Sequence, residues 1–552
     1  MLFSPVPPQW KAVSRKLVPV VTCFDCVRPP SYAYPMAQRS FPAVALILHN
    51  ADNVAVLKAA VKPGDELLDG SRELTIGQSI GPGHKIALVE IPRGGAVWKY
   101  GQLIGHAREP ISPGEHVHGH NLELQGSRPV SDACSHVPLT EFYAPEQMRH
   151  FLGYARANGR VGTRNYIAVI SSVNCSASVS GYVRDRFRGE EFHKEFPNVD
   201  GVVAFTHKSG CAMDPGEPQE VLRRVLAGIA RHPNISGFVL IGLGCEVNQV
   251  EEFRRSSHLD EGPLTSARPA FLNIQSSGGV RKTVEAGVKA VTSLLKAADE
   301  LRRTSQPLSK LVVAENCGGS DGNSGITANP ALGAAADELV RYGASVVLGE
   351  TPEIYGAEHL LLRRAVTREV AEKLLRRIRW WENYARMHNS CLDNNPSPGN
   401  KAGGLTNIYE KSLGAVAKAG QSALMAVYDY AEPITSPGLG FMDTPGYDPV
   451  SMTGLVAGGC NIGVFTTGRG SVYGCKPAPC IKVATNTALF EWMRDDMDLN
   501  AGTILEGTQT VQTVGARILE KIIAVASGEK TKSELCGIGD EEFAPWILGP
   551  TF

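Results

Sequence analysis

Residues Leu311–Pro330 read LVVAENCGGSDGNSGITANP, and the fold follows from how this stretch is built. Leu311 to Ala314 is an apolar run of strand type, and Glu315 to Pro330 is a long loop of small, polar and glycine residues. A loop of that composition lets the backbone approach a ligand closely, because glycine has no Cβ and tolerates positive φ. Its side chains offer one thiol (Cys317), hydroxyls (Ser320, Ser324, Thr327), amides (Asn316, Asn323, Asn329) and one carboxylate (Asp321). That set suits a polyhydroxylated or anionic small molecule. A plain Asn/Gly-rich surface turn is the bland alternative, but loops this long tend to be functional.

The same strand-then-loop design recurs on both sides. Upstream, Tyr166–Val173 ends in Asn174-Cys175, Val202–Phe205 ends in the loop Thr206 to Cys211, and Gly237–Ile241 ends in the loop Gly242 to Glu246. Helix-like stretches follow at Pro218–Arg231 and Gly279–Ala298. Strands alternating with helices predict a parallel α/β sheet, whose ligands sit beyond the carboxyl ends of the strands. Three successive strand ends each deliver a cysteine. Cys175, Cys211, Cys245 and Cys317 either converge on a metal or Fe–S cluster, or pack as small residues under tight loops, or supply one thiol to a substrate or metal. No CxxC run occurs in this part of the chain, which favours packing.

Downstream, Val346–Leu348 leads into a loop with three carboxylates, Glu350, Glu353 and Glu358, one of which could be a general base or metal ligand. A helix is expected over Arg364–Met387. The loop Asn395–Ser412 carries Lys401 as its one early cation, and Gly463–Cys480 places Arg469 between two glycines. A lysine in such a loop can hold a carboxylate, and a guanidinium can fork onto one.

Before residue 126 the pattern is different. Short β-rich runs punctuated by Pro-Gly and Gly-Gly predict a small, mostly β domain over 42–125, with one helical candidate at Asp52–Ala60. Residues 126–148 read as a linker, dividing this domain from α/β domains at 149–305 and 306–552. The Pro-rich start, residues 1–35, reads as a disordered extension or the product of an upstream start codon, and the extension runs to residue 41. Histidines gather in the β domain. On a strand His116, His118 and His120 would share one face, which is metal-ligand spacing, and His84 joins them from a GHK turn with Lys85 beside it. The mixed nitrogen and oxygen donors suit Fe²⁺, Mn²⁺ or Zn²⁺.

Composition bounds the rest. The chain has 552 residues with 55 Lys+Arg against 56 Asp+Glu, so it offers no basic face for nucleic acid. No apolar stretch is long enough to span a bilayer. Twelve widely spaced cysteines are too few for a disulfide scaffold and read as reduced thiols in a cytoplasmic protein.

Taken together, the chain resembles the altronate/galactarate dehydratase family of sugar-acid hydro-lyases from about Ala43 almost to its end. The resemblance is carried by DNVAV at 52–56, GHK at 83–85, KYGQLIG at 99–105, GEHVHGHN at 114–121, IGLGCEVNQ at 241–249, CGGSDGNSGITANP at 317–330, NPSPGNKAGGLTN at 395–407, TTGRGSVYG at 466–474 and IKVATNT at 481–487. It implies an N-terminal β-clip (SAF-type) domain, two further α/β domains, and a divalent metal, iron foremost with manganese as the alternative; a metal or Fe–S thiol oxidoreductase built on the cysteines is the competing reading of the residues. GEHVHGHN is similar to the altronate branch, whereas HKSGC around Cys211 and CKPAPC at 475–480 depart from the family pattern. Related architecture serves sulfolactate sulfo-lyases, so expulsion of sulfite is the alternative to expulsion of water. On this reading the substrate is a small sugar acid. Lys85, His84 and Asp321 are the catalytic candidates, and Ser320, Asn329, Lys401 and Arg469 bind substrate. His84, His116, His118 and His120 hold the metal, and a homo-oligomer is left open.

Overall fold

The computed structural model describes residues 38–70, 72–125, 132–260 and 268–549. Of the extension expected over 1–41, residues 1–37 lie outside the described residues. Gln38–Ser40 is a strand paired in parallel with Glu66–Asp69, and Phe41 is buried, so residues 38–41 belong to the first domain.

That domain is built from three small sheets. Glu66–Asp69 also pairs with Arg72–Thr75. A second, antiparallel sheet joins Ala45–Leu46, Val54–Leu57, Lys85–Ala87 and His116–Val117, and a third joins Ala96–Lys99, Gln102–Ala107 and Leu122–Glu123. The helix expected at Asp52–Ala60 is absent. Val54–Leu57 is a strand with every residue buried, and Asp52 holds turns, accepting from the backbone N–H of His49 (3.1 Å), Tyr100 (3.1 Å) and Gly101 (2.7 Å). Alternating valines fit between two partner strands, and that packing overrides the helical pattern.

The middle domain holds a parallel sheet in the order Gly201–Phe205, Tyr166–Ser171, Ile235–Gly242, Ala270–Asn273. Tyr166–Ser171 and Ile235–Gly242 are buried throughout, as strands covered on both faces must be. Helix Glu217–Ala230 packs one face through Val221, Val225 and Ile229, and helices Ala177–Arg184 and Val280–Asp299 pack the other. A small antiparallel sheet of His150–Ala155 with Val161–Gly162 and Thr304–Pro307 ties this domain to the next, since Phe151 and Val161 join the core of the C-terminal domain.

The C-terminal domain is a seven-stranded parallel sheet in the order Leu424–Tyr428, Gly438–Met442, Ser345–Leu348, Val312–Cys317, Ile462–Thr467, Cys480–Ala484, Leu499–Asn500. The chain enters at the central strand, Val312–Cys317, adds Ser345–Leu348 on one side, forms the edge strand Leu424–Tyr428 and fills the gap with Gly438–Met442, then returns to Ile462–Thr467 and moves outward on the other side. The loops after Val312–Cys317 and Ile462–Thr467 therefore diverge and open a crevice, the switch point at which parallel sheets bind ligands. Residues 132–148 run over this domain, with Cys134 N–H donating to Leu362 O (3.0 Å) and Tyr143 N–H to Arg341 O (3.0 Å). Among the described residues no helix is long and apolar enough to cross a membrane.

Candidate active site at the domain junction

The β domain docks on the switch-point loops through glycine. At Gly322 a Cβ would stand 2.0 Å from Gly83 O, and at Gly404, φ +101°, it would stand 2.2 Å from the same atom. Only glycine lets the GHK turn press onto the loops 318–327 and 395–404. Gly322 N–H donates to Gly403 O at 2.8 Å and joins those loops to each other.

That docking assembles the histidines. His84 and His116 meet at 2.9 Å between Nδ1 and Nε2, and the ring centroids of His84 and His118, His116 and His118, and His116 and His120 lie 5.4, 5.1 and 5.6 Å apart. The strand is shorter than the spacing predicted: it ends at Val117, and the turn that follows brings His118 and His120 round to the cluster. His84 Nε2–H donates to Ala402 O (3.2 Å) and His118 Nε2–H to Lys401 O (3.0 Å), which fixes both tautomers and leaves each Nδ1 as a lone pair. Burial lowers the pKa of His84 and His118, and burial followed by the neighbouring imidazoles lowers His116 to about 3. These three rings are neutral at pH 7, the state a metal needs. His120 is exposed at the rim.

Lys85 points elsewhere. Its buried ammonium donates to Gly404 O (2.8 Å) and Glu410 Oε2 (2.9 Å), while Lys99 donates to Glu410 Oε1 (2.8 Å). Burial pulls Lys85 down to about 8, and the two lysines hold Glu410 well below the usual carboxylate range. Asp321 is a hub within its loop: Oδ1 accepts from Asn323 N–H (3.1 Å), Ser324 Oγ (3.0 Å) and Thr485 Oγ1 (3.1 Å), and Oδ2 from Asn486 Nδ2 (3.4 Å). Asn329 is also engaged at both ends, donating to Gly414 O (2.8 Å) and accepting from Thr466 Oγ1 (2.6 Å). Both residues brace the crevice with the groups they were expected to offer a substrate. Ser320 is buried in the same loop, its carbonyl accepting from Asn400 Nδ2 at 2.8 Å. Lys401 is half-buried and Arg469 exposed, and the Arg469 side chain lies along Gly403 beside Asp321. Two cations thus flank one loop junction.

A second cluster lies at the end of the central strand. Cys317 Sγ, Glu350 and Glu353 bring three ligand atoms within 4.8 Å of one another, the one such group of His, Cys, Asp or Glu among the described residues. Two lysines already answer it. Lys418 Nζ donates to Cys317 Sγ at 2.7 Å and Lys411 Nζ to Glu353 Oε1 at 2.8 Å. Glu350 Oε1 is buried without a partner, and burial raises Glu350 well above the usual range and Asp448 to about 7. Lys411, Lys418, Glu410 and Lys99 were missed in the sequence. The signal was present for three of them: IYEKSLGAVAKA places Glu410 and Lys411 inside the otherwise apolar, fully packed helix Ile408–Val416, and Lys418 in the buried turn Ala417–Ala419 that follows it.

A parallel sheet whose switch-point loops are closed by a docked β domain, with histidines, buried acids and flanking cations at the seam, defines an enzyme acting on a small polar molecule. The family models agree over most of the chain: the altronate/galactarate dehydratase SAF domain matches residues 43–125, the D-galactarate dehydratase/altronate hydrolase second domain 153–299, and the D-galactarate/altronate dehydratase C-terminal domain 308–551. The chain belongs to the altronate/galactarate dehydratase family, whose members are hydro-lyases. It is 36% identical over 490 residues to the altronate dehydratase of Bacillus subtilis, covering 88% of this chain and 96% of that one. It is 38% identical over 509 residues to the galactarate dehydratase (L-threo-forming) of Escherichia coli, covering 91% and 97%. These identities do not single out the altronate branch. The (2R)-sulfolactate sulfo-lyase subunit beta of Chromohalobacter salexigens is 31% identical over 398 residues, 72% of this chain and 96% of that subunit.

Proposed function

We propose that this chain converts a sugar acid, an aldonate or aldarate, to its 2-keto-3-deoxy acid and water. The observation that carries the reading is the convergence of the GHK turn, the histidines and the switch-point loops on one junction, in a chain that aligns with dehydratases over almost its full length.

Dehydration needs the proton α to a carboxylate removed and hydroxide expelled from the next carbon. The histidine cluster fits a divalent ion, iron or manganese: His84 and His118 would present Nδ1 and His116 a ring nitrogen, with His120 at the rim. When bound, that ion supplies a Lewis acid for the carboxylate and an adjacent hydroxyl. Lys401 and Arg469 bind anionic groups of the substrate, and Ser320 binds a hydroxyl. Asp321 and Asn329 keep the loop in shape. Of the two groups expected to transfer the proton, Lys85 is held in the seam by Gly404 O and Glu410 and His84 donates its Nε2–H to Ala402 O while its Nδ1 faces the ion, so neither is assigned the base. One observation favours a second metal position, the tight grouping of Cys317, Glu350 and Glu353, where an ion would compete with Lys418 and Lys411.

The test is a keto-acid assay across a panel of aldonates and aldarates with ferrous or manganous ion under reducing conditions. Product from at least one is expected. Release of keto acid from none, or release of sulfite from sulfolactate in its place, would sink the proposal.

A further inference from the structure

The middle domain has a carboxyl edge of its own, to which the dehydration chemistry assigns nothing. We propose that Cys175, Cys211 and Cys245 hold an iron–sulfur cluster of the [4Fe–4S] class there, with one iron left free of protein ligands. The three thiols follow three neighbouring strands, Tyr166–Ser171, Gly201–Phe205 and Ile235–Gly242, and all three are free and exposed. Neighbouring strands lie about 4.8 Å apart, so the three loops that carry the thiols leave the sheet side by side along one short edge.

Their loops are locked to one another. Asn174 N–H donates to Ser209 O (2.9 Å) and Asn248 N–H to Gly210 O (3.2 Å), while Asn248 Nδ2 donates to Ser172 O (3.1 Å). Glu246, only 2% exposed, accepts from Ser172 Oγ (2.8 Å) and Leu243 N–H (3.2 Å) and so ties the loop of Cys245 to the strand of Cys175. At Gly210, φ +99°, a Cβ would meet Ser172 O at 2.5 Å, which sets the backbone before Cys211 directly on that strand end. Burying a carboxylate to hold surface loops is costly. What these loops share at the surface is a thiol each.

The donor set selects the kind of centre: three thiolates on separate loops, with no imidazole or carboxylate among them, suit an iron–sulfur cluster, which needs convergent thiolates and no fixed sequence spacing. The fourth thiol of the sequence pattern is engaged elsewhere, since Cys317 is buried against Lys418. Three thiolates leave one iron of a cubane with an open position, and the exposure of the edge lets an oxygen ligand of a small molecule reach it.

The experiment is anaerobic reconstitution of the full chain with ferric iron, sulfide and dithiothreitol, the dithiol supplying the electrons that make the cluster mixed-valent, followed by desalting, iron and acid-labile sulfide analysis, a visible spectrum, and EPR after reduction. Expected are iron and sulfide in equal amounts with visible charge-transfer absorption, abolished in Cys175→Ser, Cys211→Ser and Cys245→Ser but kept in Cys391→Ser and Cys536→Ser. Circular dichroism melts check that the variants fold. Iron without sulfide, or a cluster that survives all three serine substitutions, overturns the assignment. The readout is the cluster itself and not turnover, so failure here and failure of the dehydration reading are separate results.

Discussion

Lys85 Nζ of the β domain lies 2.9 Å from Glu410 Oε2 of the C-terminal domain, and neither side chain reaches solvent. Lys99 closes on the other oxygen at 2.8 Å, and Thr406 donates to Oε2 from its N–H (2.9 Å) and its hydroxyl (2.7 Å). Two domains meet on one saturated carboxylate, which fixes how the GHK turn sits over the crevice. A buried pair of this kind contributes little net stability beside an apolar seam, but removing one partner leaves a charge stranded. Glu410→Gln strands two ammoniums and should therefore lower stability by about 3–5 kcal/mol, whereas Lys85→Met leaves Glu410 paired with Lys99 and Thr406 and should cost less, about 1–3 kcal/mol. Urea unfolding checks both. A Glu410→Gln midpoint equal to wild type would mean that water reaches the cluster.

Two buried histidines set an acid limit. His232 is fully buried, with Nε2–H donating to Cys460 O (2.9 Å) across the domain seam, and burial lowers it from 6.5 to about 3. Burial lowers His207 to about 4. The unfolded chain protonates both below about pH 6.5 while the folded chain does not, so their contribution is full above that pH and is lost as pH falls toward 3–4. Each contributes about 1.4 kcal/mol per pH unit inside the window. Urea midpoints measured from about pH 7 to pH 5 should fall more steeply in wild type than in His232→Gln. Parallel slopes would count against His232.

Much of this was legible in the sequence. The α/β alternation was readable because strands such as Tyr166–Ser171 are apolar runs of ordinary length closed by glycine loops. The helices 218–231 and 279–298 were readable from their periodicity. Asp52–Ala60 was not, because a short strand held between two others is decided by partners that no local pattern reveals. Which polar side chains would face a ligand was also hidden. Asp321 and Asn329 sit in a loop of ligand-binding composition, yet Thr485, Asn486, Gly414 and Thr466, up to 165 residues away in the chain, use up their hydrogen-bonding groups. Lys85 was noticed for its place beside His84, but successive residues on a strand face opposite ways, and that alternation sends it into the seam.

Substrate charge is read by Lys401 and Arg469 in the proposed reaction. Loss of a charge-assisted contact costs on the order of 1.5–3 kcal/mol, or about ten- to a few-hundredfold in kcat/KM. Lys401→Met and Arg469→Lys should each fall in that range on the best aldonate, the latter because an ammonium cannot fork onto a carboxylate. Unchanged kcat/KM for both, in proteins that melt like wild type, would remove them from the site.

The location of the catalytic metal can be decided between two sets of residues. The histidine cluster presents neutral rings, with two tautomers fixed by backbone carbonyls, so an ion adds there without displacing a charge. At Cys317, Glu350 and Glu353 the ligand atoms are closer together, but Lys418 and Lys411 already neutralise them, and an ion must compete with two buried ammoniums. The first set should therefore bind more tightly at pH 7. Replacing His116 and His118 together with alanine should remove the sulfide-independent iron or manganese and with it turnover, by 10²-fold or more. Cys317→Ser with Glu353→Gln should leave that metal in place. Metal analysis of the two double variants, alongside kinetics, gives the answer: metal retained in the histidine variant and lost in the cysteine variant would move the ion to the end of the central strand.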